Sequence, residues 1–324
     1  MATCTHHRAG PCGDNLLVSR QAGLVDASQA GEPVTLPTAD SILVTGATGQ
    51  LGHAFRELLP EAVHLGKADF DLTTLDLIGP SLAAYDPEAI INCAAYTAVD
   101  RAEDEEDLAR AINADAVEEM ARFASTRGIP FVTFSTDYVF DGTTNRPYVE
   151  SDTARPVNAY GRSKRAGELL TLAAYPRTLI VRTSWLVSGS HPCFVTSILR
   201  AAASRTVTVV DDQVGRPTIA LDLATETLRA LERGVTGILH LTNSGDSTTW
   251  FDLAREVLRL SGMDAARVRP CATSDYPARA KRPAYSLLDS ERWDETCLVP
   301  LPDWRTSLRD VVRQFKREEP SLDL

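Results

Sequence analysis

The chain has 324 residues, a net charge of −11, 44% hydrophobic and 24% charged residues, enough for one large α/β domain or a nucleotide-binding domain with a smaller companion lobe. The acidic balance argues against a nucleic-acid partner, which calls for a basic face. No apolar run approaches the roughly 18 residues of a membrane span, so no membrane partner is expected.

Residues 1–40 mix Gly, Pro, Ser, Thr and Asp without sustained periodicity. This predicts a flexible extension, with at most a short helix over 16–24. Its first residues lack the continuous apolar core of a signal peptide, which points to a cytoplasmic protein. Cys4, His6, His7 and Cys12 fit no standard zinc spacing, and the six cysteines are scattered without a CxxC pair. They read as free thiols.

Order is expected from Ser41. A short buried strand at 42–44 meets a glycine-rich loop, and a helical pattern runs to about 59. A weak strand (62–65), a helix (75–84), a strand (89–94), a long helix (about 106–126), a strand (131–135), a helix (about 158–174) and a strand (178–183) follow. Strands alternating with helices of this length predict βαβ units, hence an α/β fold with a Rossmann-type doubly wound parallel sheet. After Trp185 the pattern loosens. Strand-like 207–210 and 238–242 flank a helical stretch at 220–232. A helix at 250–261 and a Pro-rich segment at 270–283 come later. The expected division is an NAD(P)-binding domain over 41–185, with 186–324 mainly a smaller C-terminal substrate-binding lobe from which one or two segments return to the main sheet. No internal repeat is visible.

Gly46, Gly49 and Gly52 form GxxGxxG between a strand and a helix. The first glycine permits a tight turn, the second lets the backbone approach a pyrophosphate, and the third allows close helix–strand packing. An acid at the end of the second strand would bind the ribose 2′-OH of NAD. Here that stretch reads His64-Leu65-Gly66-Lys67, so Lys67 favours the 2′-phosphate of NADP, with NADPH expected and NADH as the alternative. Asp71, in the following loop, either approaches the adenine or forms a turn.

Tyr160 and Lys164 lie four apart in a predicted helix, on one face. The lysine can favour phenolate formation and bring the tyrosine toward acid–base work near neutral pH. Ser135-Thr136-Asp137 ends a predicted strand, where open α/β sheets bind ligands. A hydroxyl there can stabilise oxyanion charge on a substrate carbonyl.

With these residues in this order, the chain resembles the extended short-chain dehydrogenases/reductases, and within them the dTDP-4-dehydrorhamnose reductase family. The supporting segments are TGATGQLG (45–52), DFDLTT (69–74), INCAAYTAVDRAEDE (91–105), FSTDYVFDG (134–142), NAYGRSKRAGE (158–168), VRTSW (181–185), DDQVGRPT (211–218) and RPAYSLLD (282–289). The resemblance implies Thr136, Tyr160 and Lys164 as a catalytic triad and Gly49, Gln50 and Leu51 as the pyrophosphate loop. It implies Asp71 and Leu72 at the adenine, and Ala94, Ala95 and Tyr96 along the cofactor. Asp137 and Trp185 would touch substrate. The implied reaction is NADPH-dependent reduction at C4 of dTDP-4-dehydro-L-rhamnose, a dTDP-4-keto-6-deoxysugar, with Tyr160 donating the proton. Arg216 departs from the family, where a small residue is common; it either grips a diphosphate bidentately or points to solvent. The Mg²⁺-binding glutamates of some relatives have no match, so no metal is expected. Oligomeric state, monomer or homodimer, stays open.

The acidic run 103–107 reads as carboxylates at a positive helix end. Trp185 either stacks on a sugar or base or is a core residue, whereas Trp250, Trp293 and Trp304 read as packing residues. The remaining histidines show no paired spacing. Three rivals remain. A 4-ketoreductase for another dTDP-deoxyhexose would share every motif. A 4,6-dehydratase of the superfamily would follow the threonine with Asp-Glu, and here Asp137-Tyr138 follows; a 4-epimerase would keep NAD and the acid after the second strand, which is absent. A non-catalytic NADP-binding regulatory subunit would not need the triad.

Overall fold

The structure, a computed structural model, describes residues 36–320. The expected 16–24 helix and the Cys4, His6, His7 and Cys12 group lie outside the described residues. The first part alternates as expected: β1 (Ile42–Thr45), α1 (Gln50–Leu58), β2 (Val63–Leu65), α2 (Leu75–Tyr85) and β3 (Ala89–Asn92). The long helix is in three pieces, α3 (Glu106–Arg110), a π-helical turn (Ala111–Asp115) and α4 (Ala116–Arg127). β4 (Phe131–Thr136), α5 (Ala159–Ala174) and β5 (Leu179–Thr183) follow. The second part is more broken: β6 (Leu186–Val187), α6 (Phe194–Ser204), β7 (Val207–Val210), β8 (Val214–Gly215), β9 (Thr218–Ile219), α7 (Ala220–Glu232) and β10 (Gly237–His240). It ends with β11 (Asn243–Ser244), β12 (Thr248–Thr249), α8 (Trp250–Ser261), β13 (Val268–Cys271), α9 (Trp293–Thr296), β14 (Leu301–Asp303) and α10 (Trp304–Glu318).

Six strands pair in parallel in the order β10-β5-β4-β3-β1-β2. Ile42-Leu43-Val44 and Ala89-Ile90-Ile91 are buried throughout, as continuous apolar runs covered on both faces should be. Alternation sorts them. Ile42, Val44 and Ile91 join Leu51 and Phe55 of α1 and Leu223 and Leu231 of α7. Leu43 and Ile90 join Ile78, Leu82 and Met120 of α2 and α4. The chain moves outward from β1 to β2, then crosses to β3 on the other side of β1. This reversal opens a crevice at the carboxyl ends of β1 and β3, the place where such sheets bind ligands.

Residues after 185 contribute to both parts of the fold, with segments returning to the main sheet. α7 packs in the first core and β10 extends the main sheet beside β5. A separate core gathers Val195, Leu199, Val207, Leu253, Val257, Trp304, Leu308 and Phe315 from α6, β7, α8 and α10. The sequence reading does not anticipate α6 or α10. Yet Trp304, Leu308, Val311, Val312 and Phe315 of α10 recur at helical spacing and are buried, and the Asp303 side chain caps the helix at Arg305 N, 2.8 Å. The Pro-rich segment conceals β13, which pairs in parallel with β7 and places Pro270 opposite Val209.

Candidate active site

A cavity of about 870 Å³ opens in this crevice. It is lined by Gly46, Gly49, Gln50, Leu51, Lys67, Asp71, Leu72, Ala94, Ala95, Tyr96, Thr136, Asp137, Tyr160, Lys164 and Trp185, so of the site residues singled out from the sequence only Gly52 and Arg216 lie outside its lining.

The glycine loop turns through Gly46, whose φ of +67° suits glycine, and a Cβ there would sit 2.5 Å from Ala94 N. Gly52 takes no part in the lining because it lies against the loop: a Cβ on it would come within 2.3 Å of Gly46 O. At Gly49 a Cβ would meet only Gly46 O, at 3.4 Å. Gly49 also begins α1 without a side-chain cap. The first N–H groups of α1 are therefore left to the cavity, an arrangement that fits a diphosphate.

At the end of β2, exposed Lys67 reaches the cavity wall. Asp69 turns back, its carboxylate accepting the Gly66 N–H at 3.0 Å. Asp71 accepts from Thr73 N and Oγ1 at 2.9 and 2.8 Å, the turn geometry weighed for it, and these bonds hold its carboxyl below the usual range.

β4 ends at Thr136. Its hydroxyl accepts from Tyr138 N (3.2 Å) and donates to Asp137 Oδ1 (3.0 Å), and Tyr160 lines the same cavity. Helix α5 presents Tyr160 and Lys164 on one face, and Asn158 caps it by accepting from Gly161 N at 2.7 Å. Burial pushes the Tyr160 phenol up to about 12; the nearby Thr136 hydroxyl opposes this and the Asp137 charge adds to it. The expectation that Lys164 would bring the phenol toward neutrality is thus outweighed by desolvation. Tyr160 therefore holds its proton at neutral pH. Burial also pulls Lys164 down to about 8, against the charge of Glu168. Asp137 is pushed up to about 6 by burial, opposed by the nearby Ser286 and Thr136 hydroxyls; its Oδ2 is buried without a hydrogen-bond partner.

Several positioning groups escaped the sequence reading. The π-helical turn delivers buried Asn113, whose amide accepts from Tyr96 N (2.8 Å) and donates to Tyr96 O (3.0 Å) and Ser163 Oγ (2.9 Å). It ties the strand end after β3 to α5. Gly161 and Gly167 let α5 come close, since a Cβ on either would lie 2.1 Å from the Tyr138 or Asn113 carbonyl oxygen. The acidic run does more than face a helix end. Glu103 accepts from Ala159 N at the start of α5 (2.8 Å), Glu105 from Tyr96 Oη (2.5 Å), and Glu106 binds Arg162 through both oxygens. Glu168, one turn beyond Lys164, is buried with Arg182 of β5 in a two-pronged ion pair (2.7 and 2.8 Å) and accepts from Ser135 Oγ at 2.6 Å. The usable signal was the spacing Tyr160, Lys164, Glu168 on one helical face.

At the other end, Trp185 has a left-handed backbone (φ +47°). Its ring stacks on Trp250 with centroids 3.6 Å apart and planes at 9°, and a Cβ on Gly215 would strike it at 2.6 Å. Trp250 takes one face of the indole, and Trp185 still lines the cavity. Arg216 fits neither of its expected placements. Its Nη1 lies near the carbonyls of Asn243 (3.3 Å) and Leu288 (3.4 Å), in a second pocket of about 210 Å³ that also holds His240.

Residues 40–317 match the model of the RmlD substrate binding domain. A probable dTDP-4,6-dihydroxy-2-methyloxan-3-one 4-ketoreductase of Streptomyces antibioticus is 44% identical over 83% of this chain and 93% of its own. A dTDP-4-dehydrorhamnose reductase of Streptomyces griseus is 42% identical over 83% and 91%. The solved dTDP-4-dehydrorhamnose reductase of Bacillus anthracis, in complex with NADP, superposes with a TM-score of 0.81 at 34% identity, covering 84% of this chain and 98% of that one. With the glycine loop, the strand-end threonine and the Tyr160–Lys164 pair gathered in one crevice, these likenesses make the chain a member of the dTDP-4-dehydrorhamnose reductase family of oxidoreductases.

Proposed function

We propose that the protein uses NADPH to reduce the C4 keto group of a dTDP-4-keto-6-deoxysugar, with dTDP-4-dehydro-L-rhamnose as the substrate and dTDP-L-rhamnose as the product. The observation that carries this reading is Thr136, Tyr160 and Lys164 lining the same cavity as the uncapped start of α1. The bound dinucleotide would supply the hydride. The protein's share is orientation and the proton. The keto oxygen, received beside the Thr136 and Tyr160 hydroxyls, takes the Tyr160 proton as charge builds on it. Lys164, one turn along, offsets the charge left on the phenolate. Lys67 at the cavity wall would meet the 2′-phosphate.

A second reading, reduction of a different dTDP-4-keto-deoxyhexose, draws support from the 44% identity to the S. antibioticus ketoreductase. One assay separates the two. Purified protein is mixed with NADPH and dTDP-4-dehydro-6-deoxyglucose, with and without a 3,5-epimerase, and the nicotinamide absorbance is followed. Oxidation that requires the epimerase and yields dTDP-L-rhamnose is the expected result. Turnover without epimerase favours the second reading, and no turnover on any 4-keto sugar overturns both. In the same assay Lys67→Ala is expected to lower kcat/KM for NADPH roughly tenfold relative to NADH, the weight of one charge-assisted contact. An unchanged ratio removes Lys67 from the cofactor site.

A further inference from the structure

We propose that His191, with His53 behind it, is a phosphate contact of the dinucleotide site, so that the cofactor binds together with a proton. This rests on reading the cavity as the NADPH site.

The two histidines are 138 positions apart, and the fold brings their ring centroids to 4.7 Å. His53 lies in the first turn of α1. His191 rides on the segment between β6 and α6, which is fastened to the start of α1 through both ends of the Gln50 amide. Ser188 Oγ donates to Gln50 Oε1 (3.1 Å), and Gln50 Nε2 donates to the Leu186 carbonyl (3.4 Å). The fastening carries half-buried His191 into the wall of the cavity alongside Thr48 and Gly49. Its Nδ1 is set by Ser190 Oγ at 2.9 Å.

The charges facing this ring are His53 from α1 and Glu318 from the end of α10, together with the Thr48 backbone from the glycine loop. Burial and then His53 hold the imidazole below its usual value, while Glu318 and the Thr48 backbone pull weakly the other way. Alone, the ring is therefore neutral at pH 7. A diphosphate at the open end of α1 reverses the balance by placing negative charge beside it. The chain carries a net charge of −11, and its glycine loop holds anions by N–H groups alone. A cation that forms only when the anion arrives adds attraction without leaving a buried charge in the free protein.

Binding should then take up a proton in the window between the free and bound values of His191, and affinity should fall as pH rises through it. The test is calorimetric titration of the full chain with NADPH at about pH 7, in buffers of different ionisation enthalpy. Wild-type protein is expected to take up roughly half a proton more than His191→Asn. The 2′-phosphate of NADPH titrates alike in both and cancels. Between about pH 6 and 8 the wild-type Kd should weaken three- to tenfold more than that of the variant. His53→Asn, which removes the neighbouring ring but not the contact, should keep proton uptake and shift its midpoint to higher pH. Equal uptake in wild type and His191→Asn overturns the proposal. Wild-type protein that does not bind NADPH at any pH overturns the dinucleotide reading, and this one with it.

Discussion

The two ends of the cavity are built from different material. The cofactor end rests on strands of three to six residues, β1 to β5, joined by helices. Its contacts fall at strand ends and on one glycine loop. Toward the other end, around Trp185, the second part of the chain has β6, β8, β9, β11 and β12 of two residues each, and Trp185 at the cavity wall is held from behind by groups distant in sequence, Gly215 and Trp250. On the proposed function, one end would recognise its ligand largely through backbone geometry, the other through packing. Substitutions should accordingly separate chemistry and cofactor retention from sugar recognition.

The sharpest break in that division lies at the junction of the two ends. Tyr160→Phe keeps the ring and its T-shaped contact with Tyr138 but removes the proton donor. Turnover is expected to fall by about 10²–10⁴ with NADPH affinity unchanged. A lost affinity would mean that Tyr160 builds the cofactor end rather than doing the chemistry.

Next in size is a stability effect. Asp137 has its folded value raised to about 6 from 3.8. A carboxyl so raised favours folding fully below about pH 4 and loses that contribution as pH rises to 6. The charged form is thus a burden at neutral pH, of about 3 kcal/mol for a shift of roughly two units. Asp137→Asn should therefore be more stable than wild type at pH 8 and equal to it below pH 4, read from urea midpoints. If the substrate end is where this burden is used, the same variant should lose sugar binding. Equal midpoints at both pH values would remove the burden from Asp137.

The smallest expected effect tests the packed end alone. Trp250→Leu removes the ring under Trp185, and the KM for the sugar should rise several-fold, about 1 kcal/mol for one stacked aromatic pair, with the Kd for NADPH unmoved. A change in cofactor affinity instead would show the two ends to be coupled through Trp185.

The same contrast explains what could be read from the chain. Strand–loop–helix order, the glycine loop, Thr136, Tyr160 and Lys164 were readable because each is local: a glycine at a turn, a residue at a strand end, two residues one helical turn apart. Helix α10 was readable by the same periodicity and was passed over. Asn113 was not readable, since a π-helical turn re-aims it and no spacing rule announces one. Arg216 was misplaced because its neighbours, Asn243 and Leu288, come from distant segments. The Trp185–Trp250 stack and the His53–His191 pair likewise exist only once the chain is closed.

The position of β10 bears on how the protein is made. The strand at the outer edge of the parallel sheet comes from residues 237–240, and the main chain of β5 pairs with it from Leu179 to Arg182. Until a ribosome has released those residues, β5 is a bare edge with unmatched amides and carbonyls, the form of sheet most open to pairing with the wrong chain. A nascent chain cut short before residue 237 would carry the glycine loop, Thr136, Tyr160 and Lys164 and still lack the sixth strand that covers β5.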